Sequence, residues 1–341
     1  MSKSTARIIL LATALLAGIS LLIWKISSGG DTGAVQQTPE PVPAPDTIPS
    51  GEPPLAAIMI PRDIPVEGYF RYMDSLVTRY DSTTPYPLSE YLMVRANAWI
   101  LDSLENTDYY RCMERGHFVP DQRKMTVLRA GDTLYLPGVK YAAALLEKMN
   151  NTSLDINIPA FELRIKEGDS TLYSFPVRVG KNMRKFLVMA GGTVDLRTHT
   201  GEGSIVRVNR DPVFYDPVTG KQFKFTRRDD GKTTMMPLIP WIEPEINGHR
   251  YGQMIHPTTN PSTLGRPASN GCIGTREGDA WRVYYYAPLG TRVVIRYDLS
   301  AISAQGDTLR YKDVYNFGKS GKQAALSLPP LLPSGKCWCL P

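Results

Sequence analysis

The sequence is poor in cysteine and has no cysteine pattern typical of a metal site or a disulfide scaffold. Its 341 residues include four, Cys112, Cys272, Cys337 and Cys339, and no two form a C-x-x-C pair. A chain of this length can bury a sufficient core without covalent crosslinks. We therefore predict no disulfide partner for Cys272. The Cys-Trp-Cys tail is interpreted as an exposed end, with a metal chelate or a strained disulfide as the alternatives.

The sequence also lacks a dense run of positive charge. Its net charge is +6, and its 39 Lys and Arg residues are scattered along the chain. A nucleic-acid-binding surface usually needs such residues in clusters, so we expect no nucleic-acid partner. Charged residues make up 21% of the chain and apolar residues 42%, which excludes wholesale disorder.

One long apolar run is present, and it lies at the N-terminus. Lys3 and Arg7 precede the run from Ile8 to Trp24, and Lys25 follows it. Positive residues before a stretch of this length are typical of an export signal. We predict that residues 1–28 are a signal anchor in the inner membrane, with a cleaved signal peptide as the alternative. Either interpretation places the rest of the chain outside the cytoplasm, in the periplasm.

The segment after this run divides into a linker and a mixed region. Residues 29–55 are rich in proline and should form an extended linker. Residues 56–150 read as mixed α/β, with helices expected over 91–104, where Ser89 is the cap, and over 139–149. Residues 125–137 predict two short strands around a turn, either an ordinary hairpin or the last part of a LysM-like module.

Alternating apolar and polar residues dominate from 151 to 298. The alternation begins with a hairpin over 161–179 and returns at 204–208, 222–226 and 291–297, whereas a helical pattern stands out only at 277–286. The predicted fold class is therefore mainly β. It consists of a sandwich or barrel with one or two short helices, preceded by the mixed region and the membrane helix. Residues 299–341 are expected to form an appendage with one hairpin.

A candidate nucleophile lies within this β-rich segment. Cys272 ends the sequence Ser269-Asn270-Gly271-Cys272, where glycine permits a sharp turn and backbone N–H groups at positions 271 and 272 could face an oxyanion. A thiol is mostly protonated at neutral pH and needs a nearby base. His256 follows the apolar residues 254 and 255, as expected of a strand that carries a histidine into a site. We predict that His256 activates Cys272.

The spacing of these residues resembles the YkuD-type L,D-transpeptidase family. That family has a histidine and, about a dozen residues later, a Ser/Thr-His-Gly-Cys box; here twelve residues separate His256 from Ser269. The resemblance covers roughly residues 154–298 and implies a YkuD-like β fold. It also implies a cysteine thioester intermediate, peptidoglycan stem peptides as substrates, and neither an organic cofactor nor a metal.

The sequence departs from the family pattern at three places near the site. Pro257 stands where the family usually has a glycine after the first histidine. Asn270 stands where the family usually has a second histidine, so this residue can form hydrogen bonds but cannot titrate. Gly274 and Thr275 stand where the family often has an arginine that could bind a substrate carboxylate. Arg266, Arg276 and Thr275 are therefore the candidates for substrate binding. His117, His199 and His249 lack a comparable context and are interpreted as structural or exposed.

The predicted function is that of an L,D-transpeptidase that crosslinks or modifies stem peptides in cell-wall biogenesis. Two alternatives remain open. The same fold could hydrolyse stem peptides as an L,D-carboxypeptidase or endopeptidase, or the protein could be a catalytically silent cell-wall-binding protein. The sequence leaves the donor, the acceptor and the oligomeric state undetermined.

Overall fold

The structure is a computed structural model that describes residues 52–303 and 305–320. The predicted membrane anchor (1–28), almost all of the predicted linker (29–55) and the Cys-Trp-Cys tail lie outside these residues. Within the described part of the chain, no helix has the length and apolar character needed to cross a membrane.

Seven α-helices occur in the described residues, six of them before or within the large sheet. In chain order, α1 to α7 span Val66–Tyr80, Glu90–Ala96, Trp99–Glu105, Tyr109–Glu114, Val139–Asn150, Glu277–Tyr286 and Phe317–Ser320. Four short 3-10 turns are interspersed, at Asp81–Thr83, Gln122–Lys124, Val188–Ala190 and Pro261–Thr263.

The strands of the described residues are short and numerous. In chain order, β1 to β11 span Ala56–Met59, Ile64–Pro65, Thr126–Leu128, Thr133–Leu136, Thr152–Asn157, Glu162–Glu167, Ser170–Pro176, Val179–Gly180, Arg184–Leu187, Gly192–Asp195 and Gly201–Asn209. The strands β12 to β22 span Phe214–Tyr215, Gln222–Phe223, Phe225–Arg227, Thr233–Met235, Trp241–Ile246, Ile255–Pro257, Pro267–Ser269, Ile273–Thr275, Arg292–Arg296, Ser300–Ile302 and Thr308–Arg310. This content confirms the prediction of a mainly β protein.

Helices in the N-terminal region form where apolar residues recur on one face. In α1, Tyr69, Met73 and Leu76 follow a spacing of four and three residues, and all three are buried. Ser89 caps α2 as predicted, because its side chain accepts a hydrogen bond from the Leu92 N–H at 3.1 Å. The predicted helix over 139–149 is confirmed as α5.

Two predictions for this region were wrong. The helix expected over 91–104 is two helices, α2 and α3, separated at Asn97, whose backbone leaves the helical conformation. The Asn97 side-chain amide instead bonds to the backbone of Tyr135, donating to its carbonyl at 2.8 Å and accepting from its N–H at 2.9 Å. The strands expected to pair as a hairpin do not pair with each other: β3 pairs with β2, and β4 pairs with β1.

An eight-stranded sheet forms the centre of the β-rich segment. Its strand order is β19-β17-β16-β11-β20-β5-β6-β7, with two parallel pairs, β17 with β19 and β5 with β20. Arg178 lies just beyond β7 and forms a reciprocal backbone bridge with Gly274 of β19, with N–O distances of 2.9 and 3.0 Å. This bridge joins the two edge strands, so the sheet is nearly closed into a barrel.

The helix after β19 and the terminal hairpin occur where the sequence predicts them. The α6 helix has the predicted bounds, and it is almost wholly buried, with Trp281 and Tyr285 at 0% exposure. The expected hairpin of the appendage is the antiparallel pair of β21 and β22. Because α6 follows β19 directly, its packing fixes the end of the strand that comes after the candidate nucleophile.

Candidate active site

The candidate nucleophile lies in a tight loop between β18 and β19. The Ser269 hydroxyl donates to the Cys272 carbonyl at 2.6 Å and accepts from the Gly271 N–H at 3.2 Å. Gly271 has a φ of +115°, and a Cβ built there would lie 2.6 Å from Gln253 Nε2. Glycine is therefore required at this position both by conformation and by space.

Three side chains from other parts of the chain support this loop. Thr198 Oγ1 donates to the Gly271 carbonyl at 2.8 Å and accepts from the Gly180 N–H at 2.9 Å. The Tyr315 hydroxyl donates to the Gly180 carbonyl at 2.9 Å and accepts from the Thr198 N–H at 3.0 Å. Gln253 bonds to the backbone of residues 197 and 199. The loop is thus held from both sides, and sequence reasoning missed all three supporting residues.

Strand pairing brings the candidate base and nucleophile to the same face of the sheet. The parallel register of β17 with β19 places His256 opposite Gly274 and residue 255 opposite residue 273. Residues two apart on an extended segment share a face, so we expect Cys272, which directly precedes β19 and lies two residues before Gly274, on the face of His256. The Met254 N–H lies 3.0 Å from Cys272 Sγ, which shows how closely the two segments approach.

The His256 imidazole is held in an orientation and tautomer suited to a base. Its ring stacks on Trp241, with centroids 4.1 Å apart and an interplanar angle of 19°. Its Nδ1 lies 2.9 Å from the Pro257 carbonyl, which can only accept, so Nδ1 carries the proton. The buried Nε2 has no hydrogen-bond partner in the described structure. Its lone pair is therefore available to take a proton.

Burial keeps His256 neutral. The side chain is 1% exposed, and burial, reinforced by the nearby charge of Arg178, lowers the pKa of His256 to about 3. The hydrogen bond to Pro257 opposes this shift. An imidazole with this pKa is uncharged at every physiological pH, but it is a weak base, because a general base works best when its pKa lies near the operating pH.

Cys272 is not a thiol in this structure. It is disulfide-bonded, so the prediction that it has no disulfide partner was wrong. Its side chain is fully buried in an apolar cluster that includes Trp241 and Met254. The Cys272 sulfur is therefore both disulfide-bonded and buried in this structure.

The structure places the other predicted site residues at different depths around the loop. Asn270 is half-buried, and the Thr275 hydroxyl is buried and donates to the Arg276 carbonyl at 2.9 Å. The side chains of Arg266 and Arg276 are exposed. The Gly271 N–H, expected to face an oxyanion, is instead occupied by the Ser269 hydroxyl, because the turn brings that oxygen within hydrogen-bond distance.

Sequence reasoning missed Arg178, whose guanidinium lies beside the paired strands. The alternation of Val177, Arg178 and Val179 indicates a strand with the arginine on the face opposite the valines. In the structure all three residues are buried. The alternation does not indicate that the arginine is buried, because a charged residue in a strand is ordinarily solvated.

The catalytic-domain model of the YkuD family, described as an L,D-transpeptidase catalytic domain, matches residues 151–295. This range contains the loop, both strands and the helix described above. Residues 151–295 form a YkuD-type domain. The YkuD protein of Bacillus licheniformis is similar to the chain at 25% identity over 166 residues, which cover 49% of this chain and 75% of that relative.

Solved L,D-transpeptidase structures also align with this chain. One from Mycobacterium smegmatis has 15% identity and a TM-score of 0.30, with 43% of this chain and 58% of that chain covered. One from Xylanimonas cellulosilytica has 15% identity and a TM-score of 0.31, with 72% and 100% covered. The chain thus spans somewhat over half the length of the mycobacterial protein.

Proposed function

We propose that this protein is a peptidoglycan L,D-transpeptidase that acts through a thioester on Cys272. The observation that carries this proposal is a neutral His256, with an available Nε2, on the same sheet face as Cys272 in a YkuD-type domain. The identity of the family supports the reaction class. The substrates would be stem peptides of the cell wall, and the exported location follows from the predicted N-terminal anchor.

The proposed reaction begins with the reduced site. His256 Nε2 takes the Cys272 proton, and the thiolate attacks the carbonyl that joins an L-centre to a D-centre in the donor peptide. The tetrahedral intermediate collapses, the C–N bond breaks, and the terminal D-residue leaves as an amine with the proton from His256. An amine of a second stem then attacks the thioester and passes a proton to His256. The C–S bond breaks, and the released thiolate takes that proton back to restore the thiol.

The oxyanion formed in these steps needs backbone donors at the loop. The Cys272 N–H lies in the turn and is the first candidate. The Gly271 N–H would have to exchange its 3.2 Å bond to Ser269 for one to the oxyanion. Such an exchange requires a small motion, because the present bond is long for a hydroxyl acceptor. Ser269 would then act chiefly by shaping the turn through its 2.6 Å bond to the Cys272 carbonyl.

The test uses the full chain after treatment with a reductant, because Cys272 is disulfide-bonded as described. Incubation with a tetrapeptide stem and a free D-amino acid should exchange the terminal residue, which mass spectrometry detects. Cys272→Ala should lower the rate by at least about 1000-fold, because the covalent step is lost. His256→Gln should lower it by about 100-fold or more. Cys112→Ala, a change at the other described cysteine, is the matched control and should leave the rate unchanged.

The products distinguish the alternatives. Release of the terminal residue without incorporation of the free D-amino acid would identify a carboxypeptidase, and cleavage of crosslinked stems would identify an endopeptidase. A reduced protein that binds isolated cell wall but turns over no peptide would contradict catalysis and support a silent binding protein. Exchange that persists in Cys272→Ala would contradict the thioester scheme.

A further inference from the structure

The guanidinium of Arg178 is fixed at the seam where the sheet closes. Its backbone pairs with Gly274 through two hydrogen bonds, and the next residues, β8, run parallel to β18 of the catalytic loop. A Cβ built on Gly274 would lie 2.6 Å from Arg178 Nε and 2.8 Å from its Cγ. The arginine side chain therefore occupies the space that any larger residue at position 274 would need.

This guanidinium is buried without a compensating negative charge. Arg178 is 4% exposed, and no ion pair joins it to a carboxylate of the described residues. Its buried Nε has no hydrogen-bond partner in that part of the chain, and Nη1 makes one long contact, 3.4 Å from Thr263 Oγ1. A buried charge is costly to a protein unless it is paired, so an arginine kept in this state calls for an anion from outside.

Among the described residues, the other two arginines of comparable burial show what ordinary compensation looks like. Arg95 lies 2.5 Å from Glu167, and Arg228 lies 2.5 Å from Glu277. Near Arg178, by contrast, the neighbouring charged side chain is also positive. Burial, together with the charges of Lys185 and Arg178, lowers the pKa of Lys181. The positive charge beside the loop is thus reinforced rather than neutralised by the side chains around it.

We propose that Arg178 binds the terminal carboxylate of the donor stem peptide and so determines donor specificity. This inference rests on the proposed function, since it names the substrate group that the same site would recognise. Guanidinium matches a carboxylate with two parallel N–H···O bonds, and Nε and one Nη provide such a pair.

The position of Arg178 identifies which carboxylate it would bind. Arg178 pairs with Gly274, which lies opposite His256 in the sheet, so the guanidinium is adjacent to the base. The group bound there must lie next to the scissile bond. In a stem peptide that ends in a D-residue, the carboxylate of that leaving residue is the anion closest to the bond that breaks. Recognition would therefore select donors with one free terminal D-residue.

The experiment measures binding and needs no turnover. The full chain carrying Cys272→Ala is titrated calorimetrically with a tetrapeptide stem ending in D-alanine and with the same peptide as its C-terminal amide. We expect the acid to bind about 10- to 100-fold more tightly than the amide. Adding Arg178→Met should bring the acid to the affinity of the amide and leave the amide unchanged. Arg178→Lys should restore part of the difference, because charge returns without the bidentate geometry.

Arg292→Met is the matched control, since Arg292 of β20 is exposed and pairs with Glu202 of β11. It should leave both affinities unchanged. Equal affinities for acid and amide with Arg178 present, or an equal loss for both peptides in Arg178→Met, would overturn the assignment. The exchange assay with the reduced wild-type chain separates the two proposals. Acid-selective binding without exchange rejects the transpeptidase but keeps the carboxylate site, and exchange without acid selectivity rejects the carboxylate site alone.

Discussion

Two buried arginines of this molecule, Arg228 and Arg178, have similar burial and opposite surroundings. Arg228 is 2% exposed and satisfied on every nitrogen: Nη1 donates to Glu277 at 2.5 Å, Nη2 to Gln122 at 2.7 Å and Nε to Thr234 at 2.8 Å. The same Glu277 accepts from the Tyr109 N–H at 3.0 Å. This network connects the N-terminal helical region to the helix that follows the Cys272 loop.

Arg178 has none of these partners, although it is equally enclosed. Its charge faces Thr263 at 3.4 Å and the strand that carries His256, and no carboxylate of the described residues neutralises it. The difference teaches that burial alone does not reveal the role of a charged residue. A charge with its counter-charge stabilises the fold, whereas a charge without one is available for a ligand.

The largest effect expected from this comparison is on stability at Arg228. Arg228→Met leaves the Glu277 carboxylate buried without its cation, so the free energy of unfolding should fall by about 3–5 kcal/mol. Urea unfolding of the two proteins at neutral pH measures the change. Arg292→Met removes an exposed pair and should cost no more than about 1 kcal/mol. If Arg228→Met lowered the free energy of unfolding by no more than Arg292→Met does, the Arg228 network would not stabilise the fold.

A feature of the fold or of the candidate site could be predicted from sequence when the contacts that create it lie close together along the chain. The family resemblance was predictable because its spacing, twelve residues between His256 and Ser269, lies within one segment. The pairing of β17 with β19 brings that segment together, whereas the roles of Cys272 and His256 stay a prediction. The α6 helix was predictable from local periodicity. Arg178 was not, because its role depends on barrel closure against Gly274, 96 positions away (274 − 178).

Local sequence patterns also gave wrong predictions where contacts with segments distant along the chain decided the structure. The apolar periodicity over 91–104 continues through Asn97, yet the helix breaks there because the Asn97 side chain bonds to Tyr135 in β4. The strands β3 and β4 are close in sequence, which favours a hairpin, but each pairs with a strand from before α1. The disulfide at Cys272 carried no signal in the spacing of the cysteines.

A second, smaller effect is expected at His256, whose pKa is influenced by Arg178. The free energy of unfolding should fall in acid. Burial, followed by the charge of Arg178, lowers the pKa of His256 to about 3, from an ordinary value of 6.5. Below pH 6.5 His256 is protonated in the unfolded chain, but in the folded chain it stays neutral until about pH 3. This histidine therefore contributes nothing above pH 6.5 and reduces the free energy of unfolding as the pH falls toward 3.

His256→Gln should remove this contribution, which reaches about 2 kcal/mol at pH 5 and at most about 1.4 kcal/mol per pH unit. Urea unfolding at pH 7, 6 and 5 measures the slope for both proteins. His117→Gln is the control, because His117 is exposed, and its slope should match that of the wild type. An unchanged slope in His256→Gln would mean that the imidazole gains a proton in the folded state as readily as in the unfolded state.

The smallest stability effect is the most informative, because its sign should oppose that of Arg228→Met. Arg178→Met removes a buried charge and leaves no carboxylate behind, and the methionine side chain can cover Gly274 as the arginine stem does. The free energy of unfolding should therefore stay constant or rise by up to about 1 kcal/mol. Urea unfolding beside Arg228→Met makes the comparison direct. A loss of more than about 2 kcal/mol would show that Arg178 is itself a structural tie, satisfied within the folded chain, and the reason to assign it an external anion would disappear.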